Sequence, residues 1–386
     1  MARFKNGIIS CLIQILFFST FVTHAQDIYF PKAGNEWEKR DPSTFGFKPE
    51  ILQQAVNYAL DNEYTGSRDL RIAILESFSH EPFHEIKGPV IKRGGPAGMI
   101  LKNGYLIAEW GDIARVDMTF SVTKSYLSTV AGLAFDRGLL DPDDVLADFI
   151  TDEKFQGKYN SRITWEHLLN QSSDWYGSLF GMYDWADRPP AEGDIENWRN
   201  RELHEPGTFF KYNDVRVNLL SYSLLQLWRK PLPVVLKEEI MDPIGASQTW
   251  RWHGYENSWV TVDGLRMQSV SGGGHSGGGI FINTMDHARF GLLFMNNGIW
   301  AEKRLLNHDW IRKAVSPSEA NPSYGYMWWL NKGDRQIKEI PEEVFYAAGF
   351  GGNYIIIDQQ NRLVIVTRWL EPSRLADFLK LVYKAL

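Results

Sequence analysis

Past Gly272 the chain is built from short apolar runs and turns: after the helix-like "TMDHARFGLLFMNNG" come "YGYMWWL", "NYIIID" and "RLVIVTRW", and a helical pattern opens again at Ser373. Strands that follow one another across short turns pair antiparallel, because a parallel pair needs a long crossover. A further strand pair lies upstream, between Met99 and Trp110, where Asn103-Gly104 supplies the two positive φ angles of a type I′ turn between apolar runs. Together these segments predict an α+β fold: one antiparallel β-sheet flanked by N- and C-terminal helices, plus a mainly helical insertion. The reading is a single unit over residues 26–386, with its α/β part at about 26–120 and 271–386 and its helical part at about 121–270. No internal repeat or low-complexity tract interrupts it.

Helical periodicity marks Pro49 to Leu60, Thr164 to Leu169 and Val215 to Trp228. It is clearest from Ser121 to Gly138, where Val122, Tyr126, Leu127, Val130, Leu133 and Ala134 recur on one face and Gly138 with Pro142 closes the segment. With 386 residues, 44% of them hydrophobic, a large core is available and disorder is excluded.

The N-terminus reads as a secretory leader. Arg3 and Lys5 precede an apolar run from about Ile8 to Val22, and Thr23-His24-Ala25 offers a cleavage site, which predicts a leader of residues 1–25 and a secreted or periplasmic mature chain without stable membrane insertion. Cys11, the sole cysteine, falls within the leader, so the mature chain is expected to have no disulfide and no thiolate chemistry. Losing Arg3 and Lys5 takes the formal net charge from −6 to −8. A moderately acidic chain without basic tracts is a poor partner for nucleic acid. Oligomeric state is not encoded in any visible pattern.

Ser121 and Lys124 are three residues apart at a helix start. By spacing alone about one such pair arises by accident in a chain of this size. Position adds meaning: residues i and i+3 share a helical face, and the positive end of the helix dipole disfavours a protonated lysine while favouring an oxyanion. A partly buried Lys124 there is expected to be neutral enough to deprotonate Ser121.

Five blocks in order resemble the serine β-lactamase and penicillin-binding-protein superfamily, in particular its class C-like esterase and amidase branch. "SVTK" at 121–124 is similar to the family's nucleophile and base. "GLLDPDDVLADFI" with "ITWEHLLNQSSDW", then "EPGTFFKYNDVRVNLLSYSLLQL", "GGGIFINTMDHARFGLLFMNNG" and "AAGFGGNYIIID" resemble the segments that follow. The resemblance implies a Ser-Lys-Tyr acyl-enzyme mechanism with Ser121, Lys124 and Tyr212 catalytic, and an oxyanion hole from the backbone N–H groups of Ser121 and of the strand near Phe350. A phenol hydrogen-bonded to Lys124 could share its proton and return it to a leaving group.

Two departures from the family pattern bear on recognition. Asp214 stands where the family usually has Asn, turning an amide donor into an acceptor, with neighbouring Asn213 as a possible substitute. Ala347-Ala348-Gly349 replaces the Lys-Thr-Gly or His-x-Gly triplet, so the usual cation beside a substrate carboxylate is missing. Candidate substrate contacts are Asp214, Asn213, His275, Arg251, Trp252, Gly349 and Asn353.

Other motifs carry less. Gly274-His275-Ser276-Gly277-Gly278 fits the Gly-x-Ser-x-Gly elbow, but a strand-like "GIFI" follows where the elbow needs a helix, so it reads as a flexible glycine loop. His80 and His84 lie four apart with Pro82 between them, a surface loop instead of a metal-binding helix, and no metal or other cofactor is expected. Fifteen tryptophans exceed ordinary usage. Most are expected in the core. The remainder, with Arg251-Trp252-His253 and Arg368-Trp369, would offer platforms and cations to an acidic sugar.

The residues therefore support three readings: a serine hydrolase acting on an ester or amide of a small molecule or oligosaccharide; an oligosaccharide-modifying enzyme using Lys124 and Tyr212 as base and acid in an elimination or dehydration; and a binding or sensor domain without turnover.

Overall fold

The computed structural model describes residues 28–34 and 36–386. The expected leader and its Cys11 lie outside these residues. The central sheet has six antiparallel strands in the order Trp329–Leu330, Phe345–Gly349, Asn353–Asp358, Leu363–Arg368, Ala97–Lys102 and Tyr105–Trp110. The turn of the first hairpin is as expected, with φ of 49° at Asn103 and 84° at Gly104. A Cβ at Gly104 would lie 1.9 Å from the Tyr29 carbonyl oxygen, so only glycine fits there.

The sheet is covered on both sides, which is why its central strands read as unbroken apolar runs without polar alternation. Ile355, Ile357, Val364 and Val366 pack with Phe290 and Leu293 of the helix Thr284–Met295. Ile356 and Ile365 face the other way, onto Leu52 and Phe378 of the terminal helices Pro49–Asp61 and Leu375–Ala385. The mixed helix and antiparallel-sheet fold is the one expected.

Two segments differ from the sequence reading. Arg251–Val262 and Leu265–Val270 form a long hairpin inside the span read as helical; it pairs through Gly279–Ile282 with Asp117–Met118 as a second, four-stranded sheet. Of "YGYMWWL" only Trp329–Leu330 is strand. Both sheets converge on the helix Thr123–Asp136, whose residues Thr123 to Ala134 are all buried. A helix enclosed on every side is a rigid mount for its first turn. Among the described residues no helix is long and apolar enough to cross a membrane.

Candidate active site

Ser121 sits in a 3₁₀ turn, Phe120–Val122, that runs directly into the helix carrying Lys124. Phe120 adopts φ 49°, a left-handed conformation rare for an aromatic residue, immediately before the serine. Gly273 makes this possible: a Cβ there would lie 2.0 Å from the Phe120 carbonyl oxygen. Ser121 is half-buried at the cleft, and Lys124, 1% exposed, lies beneath it. The Lys124 ammonium donates to Ser121 Oγ at 2.7 Å, reaches the Gly272 carbonyl at 3.4 Å, and pairs with Asp214 Oδ1 at 2.7 Å.

That last contact corrects the expected neutral lysine. Burial pulls the Lys124 ammonium down, but the Asp214 carboxylate and the Tyr212 phenol outweigh it, and the net shift is upward. The resting dyad is therefore an ammonium and a carboxylate.

Asp214 opens the helix Asp214–Trp228 and is buried in a network that sequence reasoning did not anticipate. Its Oδ2 meets Arg188 Nη1 at 2.7 Å and His275 Nδ1 at 3.3 Å. Arg188 Nη1 also donates to both Asp187 carboxylate oxygens, at 3.0 and 3.1 Å, and its backbone N–H to Glu81 at 3.0 Å. His275 Nε2 lies 3.3 Å from Glu81, and its ring stacks on Phe78 with centroids 4.4 Å apart. Burial alone would discharge His275, but hydrogen bonds to Asp214 and Glu81 push it up to about 9. Burial raises Asp214, and the charges of Arg188 and Lys124 reverse this and hold it well below the ordinary carboxylate range.

The glycine loop is packed instead of flexible. A Cβ at Gly274 would touch Asp214 Oδ2 at 2.4 Å, and one at Gly277 the Gly88 carbonyl at 2.5 Å. Ser276 is buried, and its carbonyl accepts from the N–H groups of Lys87 and Gly88, so it is no nucleophile elbow. The His80–His84 segment is a loop as expected, yet it delivers Glu81 into the network.

Glu81, Asp187 and His275 place one ligand atom each within 4.8 Å of one another, a spacing compatible with a metal ion. Each is already engaged: Glu81 by the Arg188 N–H, Asp187 by the guanidinium, His275 by Asp214. The donor set is satisfied by the protein's own cations.

Tyr212 borders the dyad through its ring. Lys124 Nζ lies 5.0 Å from the centroid, Arg188 Cζ 5.2 Å, and the ring stacks on Trp329 at 5.5 Å. No hydrogen bond joins its hydroxyl to Lys124 in this resting arrangement, where the expectation had one. Gly349, half-exposed at the end of the Phe345–Gly349 strand, backs onto the serine turn: a Cβ there would lie 2.3 Å from the Thr119 carbonyl and 3.3 Å from the Val122 nitrogen. The Phe350 ring packs on Phe120 at 5.1 Å, which seats the backbone at 349–350 against Ser121.

Four candidate substrate contacts are structural instead. Asn213 caps its helix, accepting from the Arg216 N–H at 3.0 Å and donating to the Asp184 carbonyl at 2.8 Å, so it cannot replace the missing amide donor. Asn353 donates to the Phe350 carbonyl and accepts from Arg368, holding the turn behind the strand. Trp252 is buried with its indole N–H on the Ser271 carbonyl, and Arg251 folds back onto the carbonyls of Gln248 and Trp250. Both line a separate cavity of about 230 Å³ with Pro233 and Trp250. Arg368 is buried on the carbonyls of Met118 and Ile282. Trp175, Trp250, Trp252, Trp328, Trp329 and Trp369 are buried, Trp185, Trp198 and Trp228 are partly exposed, and Trp259 is exposed. Arg188, Asp187 and Glu81 left no signal in the sequence, because they meet Asp214 and His275 from two loops far apart along the chain.

A sequence model of the Beta-lactamase family matches residues 117–369. The 6-aminohexanoate-dimer hydrolase of Paenarthrobacter ureafaciens is 22% identical over 309 residues, covering 72% of this chain and 73% of that protein. Among solved structures, a family VIII carboxylesterase aligns with TM-score 0.55 at 16% identity, over 82% of this chain and 97% of that one. A penicillin-binding protein homologue from Caulobacter crescentus aligns with TM-score 0.54 at 15% identity, over 83% and 99%. The matched span holds the serine turn, the dyad and the last strands of the central sheet, and the chain belongs to the beta-lactamase family.

Proposed function

We propose that the protein hydrolyses an ester or amide through an acyl-enzyme on Ser121. The observation that carries this reading is the Ser121 Oγ held 2.7 Å from Lys124 at the mouth of the cleft, with the lysine itself buried. Lys124 passes a proton to Asp214 Oδ1, 2.7 Å away, and the amine so formed takes the Ser121 proton as Oγ attacks the carbonyl carbon. The ion pair is the resting form, so this transfer is an uphill step that attack by Oγ completes. The backbone N–H groups of Ser121 and Phe350 receive the developing oxyanion. Tyr212, beside Lys124, returns a proton to the leaving group, and water then releases the acid. The leader-like N-terminus supports export to the periplasm or the medium.

The elimination reading loses its main support, since most of the tryptophans that would have formed sugar platforms are buried. The contact between Ser121 and Lys124 argues against a domain without turnover. The test is Ser121→Ala, which is expected to lower turnover of short acyl esters by about a thousandfold or more and to abolish labelling by a fluorophosphonate. Product masses should show addition of water. Retained turnover in a folded Ser121→Ala protein sinks the mechanism.

A further inference from the structure

Arg188 is built into the cleft with more care than an ion pair needs. Its backbone, at φ 47°, is left-handed, a strained conformation for a residue with a long side chain. Glu81 accepts its N–H at 3.0 Å, and Lys211 Nζ donates to its carbonyl at 2.7 Å and to that of Asp187 at 3.0 Å. The guanidinium is held by a single nitrogen: Nη1 serves both Asp187 and Asp214. Nε and Nη2 have no protein acceptor among the described residues, and the side chain is 27% exposed beside Phe78 and Tyr212. These two nitrogens form the flat edge of the guanidinium that matches a carboxylate with two parallel hydrogen bonds.

The other cations of the cleft cannot play this part. Lys124 is spent on Ser121 and Asp214, His275 is buried between Glu81 and Asp214, and the strand Phe345–Gly349 offers only Ala347 and Ala348. Arg188 shares the Asp214 carboxylate with Lys124, one on each oxygen, so the guanidinium is linked to the reacting serine through Asp214 and Lys124.

We propose that Arg188 receives a carboxylate of the substrate next to the scissile bond, and that the protein prefers esters or amides carrying such a group. The proposal rests on Ser121 as the nucleophile. It restores, from a loop of the insertion, the cation that the strand Phe345–Gly349 lacks.

The experiment compares kcat/KM for matched pairs of esters: 4-nitrophenyl butyrate against 4-nitrophenyl hemisuccinate, with the carboxylate in the acyl part, and phenyl acetate against 4-acetoxybenzoate, with it in the leaving part. The wild type should favour the charged member of at least one pair by tenfold or more, and the pair that responds locates the carboxylate. Arg188→Gln should reduce that ratio at least tenfold, and Arg188→Lys should leave an intermediate ratio, since the charge stays and the fork is lost. Equal losses on both members, or a wild type that turns over the uncharged ester as well or better, overturns the proposal; should Arg188→Gln fail to fold, the Arg188→Lys ratio decides. Ser121→Ala run alongside separates the two levels: turnover that survives it refutes the nucleophile, whereas turnover lost with no preference for the charged esters refutes only the role of Arg188.

Discussion

The first turn of the helix Asp214–Trp228 sends Asp214 into one buried ion-pair network and Arg216, two residues on, into another. In the second, Arg216 Nη2 donates to Asp174 at 2.8 Å and to Asp184 at 2.9 Å, Arg201 and the His204 N–H complete Asp174, and the Gly177 N–H completes Asp184. The composition of the two networks is alike: acids shared between an arginine and a second cation, with histidine nearby. They differ in where the spare donors lie. Arg216 Nε and Nη1 are sealed in the interior, whereas the free edge of Arg188 belongs to a side chain 27% exposed in the cleft. Burial of an ion pair therefore says little about function in this chain, and the accessibility of the donors left over says more.

Breaking the sealed network should have the largest effect on folding. Arg216→Ala strands Asp184 and half of Asp174 in the core, and a loss of about 3–5 kcal/mol is expected, read by chemical denaturation. The folded fraction should keep its turnover; a loss of turnover matching the Ser121 variant would erase the distinction between the networks.

The open network should show itself through pH. His275 is raised from the ordinary 6.5 to about 9 in the folded protein, so its stabilisation is complete below pH 6.5 and is lost as pH climbs through 9. The full span corresponds to at most about 3 kcal/mol. His275→Gln should flatten unfolding free energy between pH 6 and 9.5 by up to that amount, and an unchanged slope would show that the histidine is not held charged.

The smallest effect is a displacement of the pH–rate profile. Asp214→Asn removes the carboxylate that props up the Lys124 ammonium and accepts its proton, so the turnover that remains should show the alkaline-rising limb of kcat/KM moved to lower pH. A limb that stays in place would mean that Lys124 ionisation does not govern the rate.

Local chemistry made part of this legible in advance. Asn103-Gly104 announced its hairpin, and the apolar runs at 353–358 and 363–368 announced central strands because the sheet is covered on both faces. The hairpin 251–270 carried the same signal in Asp263-Gly264, with φ of 52° and 77°, and could have been found from it. The Ser121–Lys124 contact follows from helix geometry and was readable from spacing and position. The charge state of Lys124 was not, because Asp214 reaches it only after the helix Asp214–Trp228 docks. Arg188 was less readable still: its role depends on Glu81, Asp187, Lys211 and Asp214 meeting across three separate segments, and no window of sequence contains that meeting.

The helix end that divides the networks also ties the proposed chemistry to local order. Asp214 follows directly on Asn213, whose side chain caps the turn by accepting from the Arg216 N–H, so the carboxylate is held in place by that cap. In the proposed mechanism a lysine without this carboxylate has no partner to take its proton. Fraying of a single helix end, with the serine turn intact, is therefore expected to slow hydrolysis before the fold is lost.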